Sequence, residues 1–118
     1  MTGENPAVEL ANCIERKCPA EQEIELSLRV SVEDFADGRY RDARATRQRS
    51  IRRNEDQISQ LPRQVSSLYA TLATVAEHEG DTRLWLESSR NNVTILREYL
   101  GEIHPETLAQ KLTFAIIY

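Results

Sequence analysis

Residues 80 to 105, GDTRLWLESSRNNVTILREYLGEIHP, hold one long amphipathic segment between two turn signals. Gly80 comes before it and Gly101 and Pro105 follow it, and both residue types interrupt helices. The side chains on one side of a helical projection are Leu84, Trp85, Ser88, Asn92, Ile95, Leu96 and Tyr99, widened by Leu86, Val93 and Leu100. The pattern predicts a helix from Asp81 to about Leu100, which must bury its apolar side against other elements.

The rest of the chain divides into further helices at similar signals. Of 118 residues, 40% are hydrophobic and 29% are charged, and only four Gly and four Pro occur, which favours one all-α domain. The predicted helices cover residues 6 to 17, 19 to 38, 39 to 60, 63 to 80, 81 to 100 and 105 to the end. Residues 24 to 32, IELSLRVSV, also alternate as a strand would, so a strand is the alternative for that stretch.

An internal repeat relates these helices, because Gly38 superposes on Gly80, 42 positions later. Leu72 and Ala73 of the second repeat then correspond to Phe114 and Ala115 of the third. The chain reads as a short N-terminal helix in residues 1 to 19, followed in residues 20 to 118 by two helical pairs and the first helix of a third. Such self-similarity is typical of solenoid architectures.

Six positions of the opening segment form a recognisable pattern: Gly80, Asp81, Leu100, Gly101, His104 and Pro105. In this pattern the segment resembles one repeat of the tetratricopeptide family, in the longer-period form found in kinesin light chains. The resemblance covers about residues 20 to 118 and implies a right-handed stack of antiparallel helical hairpins, a tetratricopeptide-like α-solenoid. It also implies a protein-protein interaction scaffold, not an enzyme, with a protein or peptide partner and no cofactor.

In this family the first helices of successive repeats line a concave groove that receives an extended peptide or a partner helix. The positions that the resemblance assigns to the groove are Leu28, Arg29, Val32, Ala70, Thr71, Thr74, Glu77, His78, Leu112 and Thr113. The asparagine pair that grips a peptide backbone in kinesin-type repeats is replaced by Ala70 and Thr71, and again by Leu112 and Thr113. A groove without backbone clamping is therefore expected, and ordinary solvated helix surface is the alternative.

Three positions depart from the family pattern. Trp85 stands where a small residue usually lets two helices approach, and Arg47 and Ser89 stand where an aromatic is usual. We expect Arg47 to lay its aliphatic stem on the core and to pair its guanidinium with Asp34 or Glu33.

The net charge of -4 conceals three blocks of opposite sign. Residues 1 to 37 carry three basic and nine acidic groups, residues 38 to 63 eight and three, and residues 64 to 118 four and seven. Complementarity between packed helices explains this order, with an anionic partner as the alternative. The arginines of RYRDARATRQRSIRR scatter around a helix without interleaved aromatics, so nucleic acid is not the favoured partner.

The sequence offers little for catalysis, metals or membranes. Cys13 and Cys18 lie five apart without further ligands for zinc, and we expect two half-buried thiols; a disulfide would require the helix to end between them. His78 and His104 have no Ser or Cys in a helical register that would supply a nucleophile. No apolar run approaches the roughly 20 residues that cross a bilayer, and no signal segment is apparent, so we expect a cytoplasmic protein.

The last predicted helix, in residues 105 to 118, ends in the apolar run LTFAIIY before the next expected Gly. Without a following helix its apolar side would stay uncovered. A fragment or truncated member of a longer repeat protein is the expected explanation. The alternative is a small self-associating regulatory or structural helical bundle that dimerises through residues 105 to 118 and has no peptide groove.

Overall fold

The computed structural model describes residues 5 to 101 and 103 to 117, with side chains described as far as Lys111. Its elements are α1 (Pro6–Glu15), α2 (Ala20–Ala36), α3 (Tyr40–Arg53), a 3-10 turn (Glu55–Gln57), α4 (Pro62–Glu79), α5 (Thr82–Leu100) and α6 (Pro105–Ile117). The all-α class and the six helices are confirmed. Residues 24 to 32 lie inside α2, so the strand alternative is wrong, and the described residues contain no strand.

Local capping explains where several helices begin and end. The Asn5 side chain accepts a hydrogen bond from the backbone N–H of Ala7 at 2.8 Å, and Asp81 accepts one from Leu84 at 3.1 Å. These side chains satisfy N–H groups that the first helical turn leaves unpaired. Gly80 ends α4 with φ +79°, a left-handed conformation that glycine adopts without a steric cost. The predicted turn between α4 and α5 is therefore confirmed.

The third helix is shorter than the sequence predicted, because it ends at Arg53 and not near Gln60. The side chain of Asn54 donates to the Ser50 carbonyl oxygen at 2.8 Å. Asparagine side chains compete in this way with the helical backbone ladder. The chain then turns through the 3-10 segment and reaches α4 with a new direction.

Consecutive helices pack against one another along the chain. α2 packs on α3 and α4, α3 packs on α4, α4 packs on α5, and α5 packs on α6, while α1 packs on α2. Since short turns join α2 to α3 and α4 to α5, each of these pairs is an antiparallel hairpin. The right-handed sense of the stack and the domain boundary near residue 20 stay predictions.

The main core lies where α2, α3, α4 and α5 meet. It is formed by Ile24, Ile51, Val65, Leu68, Leu72 and Ile95. A smaller cluster of Leu10, Cys13, Leu26 and Val30 joins α1 to α2. Burial of these side chains supplies the main driving force for the stacking of the helices.

Some side chains on the predicted apolar faces are more exposed than expected. Val8 and Ile14 of α1 are 49% and 39% exposed, and Tyr99 of α5 is 43% exposed. Trp85, the large residue at a small-residue position, is half-buried.

Candidate functional site

Two clefts lie side by side across the first helices of the predicted repeats. The first lies between α2 and α4 and has a volume of about 270 Å³, at the low end for small-molecule pockets. Ile24 and Leu28 form its apolar side, and its polar lining is Glu21, Glu25, Arg63, Gln64 and Ser67. The second, of about 300 Å³, lies between α4, α5 and α6. Both clefts include Arg63 and Ser67, so they form one continuous depression, called here the groove.

The second cleft has a mixed lining. Its apolar side chains are Ala70, Leu96 and Ala109, and its polar ones include Asn92, Glu106 and Gln110. Asn92 is 3% exposed and donates to the Gln110 side-chain oxygen at 2.7 Å. That bond joins α5 to α6, so the Asn92 amide serves the packing of the helices.

Only part of the predicted groove falls in these clefts. Leu28 and Ala70 line them. Arg29, Val32, Thr71, Thr74, Glu77 and His78 lie on α2 and α4 outside the two clefts, and Val32 is 54% exposed. Leu112 and Thr113 lie in α6, where their side chains are outside the described residues.

The two predicted threonines bond within their own helix. The Thr71 hydroxyl donates to the Ser67 carbonyl oxygen at 2.7 Å, and the Thr74 hydroxyl lies 3.4 Å from the Ala70 carbonyl oxygen. Such bonds to the preceding turn satisfy the hydroxyl donors. Both hydroxyls are therefore engaged within α4.

His78 belongs to an aromatic cluster at the far end of α4. Its ring centroid lies 4.8 Å from that of Phe35 and 5.9 Å from that of Tyr40, and Nδ1 lies 3.0 Å from the Thr74 carbonyl oxygen. The cluster joins the ends of α2, α3 and α4. His78 remains exposed, as expected for a residue near a helix end.

The charged side chains of the groove are arranged in pairs. Arg63 Nε lies 3.1 Å and 3.3 Å from the two carboxylate oxygens of Glu106, a contact that links α4 to α6. Glu25 pairs with Arg29 one turn further along α2 at 3.3 Å, and both side chains are exposed. Glu21 accepts a long hydrogen bond of 3.5 Å from Gln64. Exposed contacts of this kind contribute little stability and are open to exchange with a ligand.

Arg47 lies buried between α3 and α4 and is 3% exposed. Its Nη1 donates to the Thr71 carbonyl oxygen at 2.8 Å, whereas Nε is buried without a hydrogen-bond partner. Burial lowers the pKa of Arg47 to about 10. The predicted pairing with Asp34 or Glu33 is wrong, because Asp34 accepts from Arg39 at 2.8 Å and Glu33 is exposed.

A buried polar network around Glu23 was missed by the sequence reasoning. Glu23 is 6% exposed and its carboxylate accepts four side-chain hydrogen bonds. The donors are Ser27 at 2.5 Å, Asn54 at 2.6 Å, Ser50 at 2.9 Å and Arg53 at 2.9 Å. The spacing of four between Glu23 and Ser27, and between Ser50 and Asn54, was the available signal.

Burial and hydrogen bonding have opposite effects on the pKa of the Glu23 carboxyl. Burial alone would raise the pKa of the Glu23 carboxyl, but the four donors outweigh it, with Arg53 contributing most, and hold the pKa below 4.5. The carboxylate is therefore charged at neutral pH and ties α2 to α3. With all four donors directed at it, this group serves the fold and not a ligand.

The arginine-rich α3 uses several of its charges inside the molecule. Arg39, the N-cap residue of α3, binds Asp34, while Arg44 lies 3.4 Å from Glu79 and Arg53 lies 2.9 Å from Glu23. This confirms the expected complementarity between the charge blocks of packed helices, because the acids come from α2 and α4.

Cys13 and Cys18 are joined by a disulfide, so the expectation of two half-buried thiols is wrong. α1 ends at Glu15, between the two cysteines, and their Cα atoms are 5.0 Å apart, within the range of disulfides. Lys17 turns the chain with φ +56°. The helix end that a disulfide between these two cysteines requires is therefore present.

Among the described residues no group of three or more His, Cys, Asp or Glu side chains is placed to hold a metal ion. Within the same part of the chain, no helix has the length and apolar character required to cross a membrane.

Comparison with known proteins gives no match: no family model fits the chain, and neither a curated protein nor a solved structure is significantly similar to it.

Proposed function

We propose that the protein is an interaction scaffold of tetratricopeptide-like repeats that binds a peptide segment of a partner protein in the groove across α2, α4 and α6. The observation that carries the proposal is the continuity of the two clefts, which meet at Arg63 and Ser67 on the first helices of the repeats. These are the helices to which the resemblance assigns the groove. The kinesin-light-chain-like relationship itself belongs to the proposal.

The size and lining of the clefts favour side-chain recognition. At about 270 Å³ and 300 Å³, they lie at the low end for small-molecule pockets and suit individual side chains of a peptide. Asn92 is engaged with Gln110 and Thr71 with its own helix, so these groups do not grip a peptide backbone. A partner would bind mainly by inserting side chains into the two clefts.

A peptide display experiment tests this proposal with a matched pair of variants. The purified full chain selects binders from a library of random linear peptides, and the affinities of selected peptides are measured by fluorescence anisotropy. Ala70→Arg fills the groove, whereas Ala45→Arg places the same side chain in a different cleft, between α3 and α5. Both alanines are half-buried, so the two substitutions are comparable, and circular dichroism checks that each variant folds.

We expect peptides that bind the wild type and Ala45→Arg alike and lose at least about tenfold in affinity with Ala70→Arg, equal to about 1.4 kcal/mol. Failure to select any peptide, or equal binding by the two variants, would refute the proposal.

A self-associating bundle is the second candidate, because Ile103 and Leu108 are 86% and 48% exposed beside the start of α6. Sedimentation equilibrium separates the two functions. A tight dimer that Leu108→Ser dissociates supports the bundle, whereas a monomer that binds peptides supports the scaffold.

A cytoplasmic location stays part of the proposal. The Cys13–Cys18 bond opposes it, because disulfides are rare in reducing compartments.

A further inference from the structure

We infer that the groove selects basic peptides, in which an apolar side chain is flanked by lysine or arginine. This inference rests on the proposed peptide-binding function and adds the chemical class of the partner. It follows from the apolar side of the α2–α4 cleft and from the distribution of charge around both clefts.

The apolar part of the recognition comes from α2. Ile24 is 1% exposed and belongs to the main core. Leu28 is half-buried and packs against that core. Because Ile24 is almost fully buried beneath it, Leu28 supplies the apolar surface that a ligand side chain can contact in the α2–α4 cleft. An apolar side chain that enters this cleft gains free energy by leaving water, at about 25 cal/mol for each Å² buried.

The charged part of the recognition is mostly acidic. Among the described lining residues, three carboxylates, those of Glu21, Glu25 and Glu106, stand against one guanidinium, that of Arg63. Arg63 is already bound to Glu106, so its positive charge is compensated inside the groove. Glu21 and Glu25 stand one turn apart on the same helix and give the α2 side of the groove a negative potential.

These two carboxylates are available to a ligand. The Glu25 side chain is 74% exposed, and its partner Arg29 is 49% exposed on the same helix. Exposed pairs of this kind contribute little, so a lysine or arginine of a peptide can take the place of Arg29 beside Glu25. In the part of the chain that the structure describes, the contact of the Glu21 carboxylate is a hydrogen bond of 3.5 Å from the neutral side-chain amide of Gln64, and no salt bridge to Glu21 is found.

Acidic peptides are disfavoured by the same arrangement. A carboxylate brought next to Glu21 and Glu25 meets like charge, and Arg63 can receive it only by giving up Glu106. Placement of like charges at an interface discriminates against wrong partners. The groove therefore distinguishes partners by charge as well as by shape.

The test uses the full chain, a display library of random linear peptides, and synthetic copies of the selected sequences. The double variant Glu21→Gln with Glu25→Gln removes the charge of the groove while keeping the size of the side chains. Its matched control, Glu33→Gln with Glu98→Gln, removes two exposed carboxylates of α2 and α5 that do not line either cleft.

We expect selected peptides to contain lysine or arginine beside an apolar residue. Their affinity should fall about 3- to 10-fold in the groove variant and stay unchanged in the control. It should also weaken as salt is raised from about 0.1 M to about 1 M, since the Debye length falls from about 10 Å to about 3 Å.

The outcomes separate this inference from the function on which it rests. Peptides that lose binding with Ala70→Arg but are acidic or uncharged, or that bind the Glu21→Gln, Glu25→Gln variant as well as wild type, overturn the charge preference alone. An absence of any peptide whose binding depends on Ala70 overturns the groove function and the charge preference together.

Discussion

The buried guanidinium of Arg47 is expected to lower the stability of the fold. In Arg47→Met the charge is removed, while an unbranched side chain of similar length keeps the α3–α4 interface filled. In the wild type, Arg47 Nη1 donates one hydrogen bond of 2.8 Å to the Thr71 carbonyl oxygen, whereas the buried Arg47 Nε has no hydrogen-bond partner. The variant therefore removes an incompletely compensated buried charge.

Two opposing contributions determine how much Arg47→Met changes the free energy of unfolding. The lowering of the Arg47 pKa to about 10 corresponds to about 3 kcal/mol of unfavourable free energy for keeping the charge buried. The hydrogen bond to Thr71 returns about 1.5 to 3 kcal/mol, the usual range for a charged donor. We expect a gain of about 1 to 2 kcal/mol in the free energy of unfolding, since the methionine also buries apolar surface.

The sign of the pH dependence follows from the direction of the shift. The pKa of Arg47 is lower in the folded chain than in the unfolded chain, so its cost is present in full below about pH 10. The cost fades only as pH rises above about 10 towards the ordinary pKa of an arginine. The gain in Arg47→Met should therefore be the same at pH 6 and pH 8.

Urea denaturation followed by circular dichroism measures this difference, with Arg49→Met as the matched control. Arg49 is an exposed arginine of the same helix, and its replacement should change stability by less than about 0.5 kcal/mol. In thermal unfolding the expected gain is about 3 to 8 °C in Tm. A loss of more than about 1 kcal/mol in Arg47→Met, with Arg49→Met unchanged, would refute the reasoning.

Two further predictions concern the hydrogen-bond network of Glu23 and the Cys13–Cys18 disulfide. Glu23→Gln should lower the free energy of unfolding by about 2 to 4 kcal/mol at neutral pH, because Arg53 loses its buried partner, whereas exposed Glu25→Gln should change it by less than about 0.5 kcal/mol. The folded pKa of Glu23 lies below 4.5, so the stability that its carboxylate contributes is present above that pH and is lost as pH falls through the folded value. The free energies of unfolding of Glu23→Gln and wild type, measured in urea, should therefore converge in acid. A difference between them that stays constant with pH contradicts this. Reduction of Cys13–Cys18, which closes a loop of sequence separation 5, should cost about 2 kcal/mol and speed amide exchange in α1 more than in α4. Unchanged exchange in α1 after reduction would count against that role of the bond.

Elements defined by local chemistry were predictable from the chain alone. The stop at Gly80, the cap at Asp81 and the helix to Leu100 follow from conformational preferences and side-chain capping within a few residues. The end of α3 was predicted less well, because its helical pattern continues past Arg53 while Asn54 is drawn into contacts with Ser50 and Glu23.

The candidate groove was predictable only in outline. The repeat pattern indicated the helices that carry it, and Leu28 and Ala70 do line the two clefts. Arg63, Ser67 and Glu106 were not on the predicted surface, because their place in the groove depends on how α4 and α6 pack against their neighbours.

The sequence by itself determined an all-α chain, its turns and the order in which its helices follow one another, because hydrophobic periodicity and capping act over one or two helical turns. Only the tertiary structure decided which hydrogen-bond partners the polar groups between the helices have. Glu23 meets Arg53 from 30 positions away, and Arg47 reaches Thr71 across 24. Such partners are chosen by the register in which whole helices pack, and no local pattern encodes that register.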